Sequence, residues 1–297
     1  MNPLVIPVDQ NLNALLPIGT PAFPIQLFHD NLKNFTNGFV NWHRQKTIEI
    51  SVVKKGAVLV QTLGREQKVC AGDGFLIFPG RLHAVKPWGN QPAEYTTLIF
   101  DPVLLTGYRG SFWEEVYYLP YLGHGCLFFW GACADAQPAF EKLSWIFSLW
   151  DSSLTPEKQL QIQRLLQDSW AVLADKIFSQ QTIPESPAES RRLFDMVDYL
   201  HEHYQEKFSL TDMAAHICVS RGECSRFFKR MMHMTISEYL TEYRIAKSME
   251  LLEQGEQNIT QIAESVGFST VSYFICRFRQ KVGQSPLAYQ KQTLPFA

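Results

Sequence analysis

The feature that most constrains this chain is an octapeptide that occurs nearly twice. Leu210-Thr211-Asp212-Met213-Ala214-Ala215-His216-Ile217 returns as Ile259-Thr260-Gln261-Ile262-Ala263-Glu264-Ser265-Val266. In each copy the apolar residues fall at i, i+3, i+4 and i+7, one face of a helix: Leu210, Met213, Ala214, Ile217, then Ile259, Ile262, Ala263, Val266. Ser209 with Asp212, and Asn258 with Gln261, supply capping-box-like starts. Short turns follow, Cys218-Val219-Ser220 and Gly267-Phe268-Ser269, and then second helices. Their buried faces carry Cys224, Phe227, Phe228 and Met231 in one copy, and Phe274, Phe278 and Val282 in the other. Their outer faces carry Arg221, Arg226, Lys229 and Arg230, then Arg277, Arg279 and Lys281. Ser237 to Glu253 holds no Pro or Gly and predicts a rod of about 25 Å. Such a rod could hold two recognition helices roughly 34 Å apart, one duplex turn. One hairpin alone would be an ordinary piece of an all-α domain. The repeat with basic outer faces points to two neighbouring major-groove segments of double-stranded DNA.

Charge is local rather than global. From Ser186 to Ala297 there are 13 Lys+Arg and 13 Asp+Glu, a balance of 13 − 13 = 0, whereas Arg221 to Arg230 has four basic residues and one acid. Nonspecific affinity is therefore expected to be modest and salt-sensitive.

The stretch Arg191 to Gln292 resembles the DNA-binding domain of the AraC/XylS family of transcription regulators. The resemblance rests on Ile262-Ala263, Val266-Gly267-Phe268-Ser269, Ser272-Tyr273-Phe274, Phe278, Gly283-Gln284-Ser285-Pro286 and Tyr289. Ser225-Arg226-Phe227-Phe228-Lys229, Arg244-Ile245 and Leu251-Leu252 add to it. By that resemblance Gly222, Ser225 and Arg226 sit where the first helix reads bases, and Val271, Ser272 and Cys276 where the second does. Arg221, Lys229, Arg230, Thr270, Arg277 and Arg279 complete the expected DNA-binding set. Val271 and Cys276 cannot make bidentate base contacts, so the second helix is expected to anchor and Arg226 to specify. Met231-Met232-His233-Met234 stands where many members have a Gly-containing turn.

Thr47 to Phe100 has a different texture, with short strands punctuated by Lys54-Lys55-Gly56, Gly64-Arg65-Glu66, Gly72-Asp73-Gly74 and Pro79-Gly80. This pattern suggests a sandwich or jelly-roll barrel. With Trp42-His43, Glu49, Gly56, Gly72-Asp73, Pro79 and His83, the stretch resembles the cupin-type sensor domain of many AraC-like regulators. Metal-binding cupins hold a divalent ion with His and Glu. Here His43, Glu49 and His83 match three such positions, and Asn41 stands where the first His would be. The expectation is no metal and no cofactor, with a small polar effector, such as a sugar, bound by Trp42, His43, Glu49, His83 and Trp88. The competing reading is a metal-dependent cupin isomerase or dioxygenase with an attached helical domain.

Between these parts, Phe140 to Trp150 and Lys158 to Phe178 show helical spacing, with Leu160, Leu165, Leu166, Trp170, Leu173 and Ile177 among the apolar residues. The resemblance implies dimerisation here, alongside packing on the chain's own barrel. Ile183 to Pro187 reads as an extended linker. Six cysteines without CxxC spacing, no basic-then-apolar start over Met1 to Asp9 and no long apolar run suggest a cytoplasmic chain free of the membrane. The expected organisation is α+β and multidomain: a cupin-like sensor over 1–135, a helical dimerisation segment over 136–182, a linker over 183–190 and a double helix-turn-helix domain over 191–297. The expected function is a non-enzymatic, ligand-responsive homodimer that binds DNA and contacts RNA polymerase.

Overall fold

The structure, a computed structural model, describes residues 5–89, 91–122, 126–151, 154–179 and 186–293. Its strands are β1 (Ile25–Asn31), β2 (Val40–His43), β3 (Ile48–Lys55), β4 (Ala57–Thr62), β5 (Arg65–Cys70), β6 (Gly74–Ile77), β7 (His83–Pro87), β8 (Glu94–Phe100) and β9 (Cys126–Phe129). Two short helices, α1 (Val103–Thr106) and α2 (Phe112–Tyr117), precede β9, and two long ones follow, α3 (Gln137–Leu149) and α4 (Pro156–Ser179). The C-terminal part comprises α5 (Pro187–Glu202), α6 (Leu210–His216), α7 (Arg221–Met232), α8 (Ile236–Gln254), α9 (Ile259–Ser265), α10 (Val271–Val282) and α11 (Pro286–Thr293).

The strands form two antiparallel sheets, β1-β8-β3-β6-β9 and β2-β7-β4-β5. Their facing sides share one core, with Val53, Phe75, Ile77 and Tyr95 against Val40, Val58, Val60 and Val85. Among the described residues the sheets stay separate, so the expected barrel is a two-layer sandwich of jelly-roll type. The turn expected at Gly64-Arg65-Glu66 is tighter than that. β5 already starts at Arg65, and Leu63-Gly64 alone reverses the chain, with Gly64 at φ 70°.

The five-stranded sheet is buried on both faces. Ile48, Ile50 and Val52 alternate with Glu49, Ser51 and Val53 along β3, as period-two side chains must. The first set packs against Leu143 and Ile146 of α3 and Ile162, Leu166, Trp170, Leu173 and Ile177 of α4. The helical stripe read from the sequence is thus largely used within its own domain, although Leu160 stays exposed. The four-stranded sheet is covered as well. Trp42, Leu63, Leu82 and Ala84 on its outer face share a core with Leu193, Met196 and Val197 of α5 and Phe227 and Met231 of α7.

The helix-turn-helix repeat folds as its spacing requires. Ser209 and Asn258 accept from the amides of Asp212 and Gln261, and Asn258–Gln261 completes a full capping box. The paired aromatics are equivalent in space: Phe228 meets Tyr239 edge-on at 5.6 Å, and Phe278 meets Tyr289 at 5.8 Å. The rod between the copies is α8, 19 residues long. It is closed by a Thr235–Glu238 capping box and by Gly255 in the left-handed region. The last residues of the expected linker, 187–190, are helical. Residues 183–185 lie outside the described residues, and Ser186 already caps α5, with Pro187 at its first turn. Among the described residues no helix is long and apolar enough to cross a membrane.

Leu143 is fully buried between α3 and the five-stranded sheet. Leu143→Ala should cost about 2–5 kcal/mol of unfolding free energy, read from the urea midpoint of the full chain.

Candidate functional site: nucleic-acid interface and ligand cavity

The first reading helix presents an open face. Ser220 caps α7, and Cys224, Phe227 and Phe228 fix its inner side, leaving Arg221, Gly222, Arg226, Lys229 and Arg230 exposed and Ser225 half-buried. Arg226 is 77% exposed and, among the described residues, pairs with Glu223 alone, 3.4 Å away, a surface contact weak enough for its guanidinium to be redirected. Arg230 is more committed: it pairs with Glu189 of α5 at 2.8 Å.

The second reading helix is built differently. Thr270 caps α10 by accepting from the Tyr273 amide, which makes its hydroxyl part of the scaffold. Ser272, Cys276 and Arg279 are exposed, and Val271 is half-buried. Arg277 is half-buried beside the Tyr273 ring and donates to Gln280 Oε1 at 2.8 Å. Exposed Tyr273 and Ile275 share the accessible surface of α10. Neither belongs to the expected reading set, which follows the family positions Val271, Ser272 and Cys276. Arg244 holds this unit in place, donating to the carbonyls of Tyr204 and Glu206 at 2.7 Å. Gly267 packs so closely that a Cβ would lie 2.5 Å from Tyr204 O, at a φ of 84°. Glycine is the residue that fits there.

Between the two sheets lies a cavity of about 160 Å³, lined by His43, Glu49, Asp30, Tyr95 and Thr97 with apolar walls that include Phe28, Phe35 and Val40. His43, Glu49 and His83 come together with ligand-capable atoms within 4.8 Å of one another, all buried. His43 Nδ1 donates to Asn41 O at 2.9 Å, and His83 has its Nδ1 2.9 Å from Arg81 O and its Nε2 3.2 Å from Glu49 Oε2. Burial is the main force holding His43 far below its ordinary value, at about 3, so the ring is neutral. Burial alone would raise Glu49, but His83 and the hydrogen bonds around the carboxylate hold it below its ordinary value. Two histidines and a carboxylate could hold a divalent ion. As they stand, Glu49 Oε2 accepts from Gln45 at 2.9 Å and Oε1 from Ser51 at 3.1 Å, so the carboxylate is satisfied without one. Asn41 is no part of this set. Its side chain bonds both to the amide and to the carbonyl of Ile6, pinning the N-terminal arm.

The two tryptophans are placed elsewhere. Trp42 follows the opposite side of β2 from His43 and stacks over His233 at 6.4 Å and 8°, lining a second cavity of about 260 Å³ between the domains. Trp88 is 48% exposed, with Lys68 over its ring. Neither lines the inner cavity, because each sits on the side of its strand or turn that faces away from the sandwich.

Sequence reasoning also missed the contact between the domains. His233 ends α7 at φ 54°, in the left-handed region, where the second copy has Gly283. Its Nε2 lies 3.1 Å from Thr62 O, and the amide of Gly64 donates to Met231 O at 3.1 Å. Arg44 lies 4.3 Å over the ring of Phe194. The signal was present as the departure from a Gly-containing turn. On the other side of the junction, His201 has Nδ1 2.9 Å from Gln10 O and Nε2 2.9 Å from the Tyr239 hydroxyl, and it stacks on Tyr243 at 3.9 Å.

Two helix-turn-helix units with open basic helices, joined to a domain with an internal cavity, define a DNA-binding transcription regulator with a ligand-binding domain. The model of the AraC-like ligand binding domain matches residues 33–182, half of the chain, and a helix-turn-helix domain model matches residues 213–292. An uncharacterized HTH-type transcriptional regulator, YdeC of Bacillus subtilis (strain 168), is 31% identical over 289 residues, covering 96% of this chain and 97% of that one. The transcriptional regulatory protein HptR of Staphylococcus aureus (strain NCTC 8325 / PS 47) is 37% identical over 97 residues, 33% of this chain and 38% of that one. Among solved structures, wild-type ToxT from Vibrio cholerae with bound unsaturated fatty acid matches with a TM-score of 0.40 and 15% identity, over 92% of this chain and 97% of that chain. The chain belongs to the AraC/XylS family of transcription regulators, and its relatives are regulators rather than enzymes.

Burial is also the main force lowering His201, to about 4 from an ordinary 6.5, with Lys247 adding to it and the Gln10 carbonyl opposing it. The unfolded chain therefore takes up this proton first. The contribution of His201 to stability is full above pH 6.5 and is lost as pH falls through 4. In His201→Gln the decline of the urea midpoint over that window should be shallower than in the parent chain.

Proposed function

We propose that the chain is a ligand-responsive, sequence-specific regulator that acts in the cytoplasm as a homodimer. A small effector, held in the cavity between the sheets, alters operator binding or contact with RNA polymerase. The single observation that carries this reading is the four-stranded sheet, which has the cavity on one face and the DNA-binding domain on the other. Neighbouring residues of β2 serve both sides: His43 lines the cavity, and Trp42 stacks on the end of the first reading helix. A ligand that prefers one position of this strand would bias the placement of that helix, and only such a preference shifts the equilibrium. A sugar loses its support, since the expected stacking faces, Trp42 and Trp88, are turned away from the cavity.

In this reading the sensor takes 1–135. The segment 136–182 dimerises through the faces of α3 and α4 turned away from the sheet, where Trp145 and Leu160 are exposed. Arg226, with Gly222 and Ser225 beside it, reads bases. Arg221, Lys229, Arg230, Arg277 and Arg279 hold phosphate around it, and Val271, Ser272 and Cys276 give the second helix an apolar or small contact surface.

Two experiments test the proposal. Arg226→Ala should relax preference at one base position by about 1–3 kcal/mol when binding is measured across operator variants; uniform weakening would assign Arg226 to phosphate. His233→Gly suits the left-handed position and removes the contact with the sensor. Operator titrations should show that binding is retained while its response to effector is lost. An unchanged response would place the coupling elsewhere.

A further inference from the structure

The inner cavity has an imbalance of hydrogen-bonding groups. Its polar groups are the carboxylates of Asp30 and Glu49, the hydroxyls of Thr97 and Tyr95, and Nε2 of His43, an acceptor because Nδ1 carries the hydrogen donated to Asn41 O. His43 is 2% exposed and lines the cavity, and among the described residues its Nε2 meets no hydrogen-bond donor. Among the described residues no lysine or arginine lines the cavity.

The two carboxylates are satisfied unequally. Glu49 accepts from Gln45 at 2.9 Å and from Ser51 at 3.1 Å, and lies 3.2 Å from His83 Nε2. Ser51 Oγ also lies 2.9 Å from Thr97 Oγ1, so with Ser51 donating to Glu49 the Thr97 hydroxyl donates to Ser51 and its hydrogen is not free for Asp30. Burial, with Glu49 adding to it and the Thr97 hydroxyl opposing it, pushes Asp30 up to about 7, as befits a carboxylate lacking a counter-charge.

We propose that this cavity takes a small primary amine, its ammonium group on Asp30 within reach of His43 Nε2 and its apolar body against Phe28, Phe35 and Val40. A carboxylate or phosphate ligand would meet two carboxylates and, among the described residues, no cation. A polyol would lay hydroxyls against hydrocarbon walls, each costing a hydrogen bond. Cavity size sets the scale: on the order of 150 Å³ accommodates a benzene-sized molecule.

The proposal rests on the reading that this domain holds the effector. The test is calorimetric titration of the full chain, pretreated with EDTA, with benzylamine, benzyl alcohol and benzoate, which share one ring and differ in the head group. Benzylamine should bind about ten- to a hundredfold more tightly than benzyl alcohol, and benzoate should not bind. Asp30→Asn should erase the preference for the amine over the alcohol. Thr97→Val, which removes the hydroxyl beside Asp30, gives a second variant should Asp30→Asn fail to fold, and it should alter the same ratio. Binding of the alcohol or of benzoate as tightly as the amine would overturn the ammonium assignment while leaving an effector site standing. Failure of all three probes would overturn both.

Discussion

The account depends on one structural constraint: a four-stranded sheet that is buried on both faces. A sandwich needs one covered face per sheet to close its core. Here the outer face is covered as well, by α5 and the end of α7. Side chains along β2 and β7 therefore alternate between two different environments. His43 and His83 point into the sandwich, while Trp42, Leu82 and Ala84 pack on the reader. Because packed interiors are dense, displacement on one face has to be accommodated on the other. A non-glycine residue in the left-handed region costs about 1–3 kcal/mol and persists where its surroundings over-determine it. His233 has such surroundings in Trp42 and Thr62.

The docked sensor touches both reading units without covering their faces. The turn between β4 and β5 meets Met231 at the end of α7, and the short helical turn Thr36–Gly38 meets α10. The exposed arginines remain open on both helices. Blocking DNA is therefore not the mechanism this geometry favours. Setting the angle between two readers joined by α8, about 28 Å long at 1.5 Å per residue, is the simpler one. The junction is lopsided, with hydrogen bonds and ring stacking concentrated on the first unit. The reading faces are lopsided too, with Arg226 on the first and an apolar, half-committed surface on the second.

Much of this was legible in the sequence, for physical reasons that differ by region. The repeat could be read because helix periodicity, caps and turns are local, and α6, α7, α9 and α10 fall where they were expected. The strands from Thr47 to Phe100 could be read because alternation and glycine turns are local as well. β1, β2 and β9 could not, since each is completed by partners far along the chain: Ile25 pairs with Phe100, and Gly74 with Phe129. The flat ring of Trp42 suits a sugar pocket in the sequence, but a one-residue step along a strand from His43 reverses the face. The part played by His233 was hidden because what it contacts, Thr62 and Trp42, is remote in sequence. Only the missing glycine marked it.

The central claim is that the sensor and the first reading unit are energetically joined through this contact. A double-mutant cycle on the full chain tests it most directly, with Trp42→Ala and His233→Gly alone and combined, scored by unfolding free energy. Coupling of at least about 0.5 kcal/mol between the two sites is the result the account predicts. Additive effects would contradict it, leaving the stacked rings as neighbours without a shared energy.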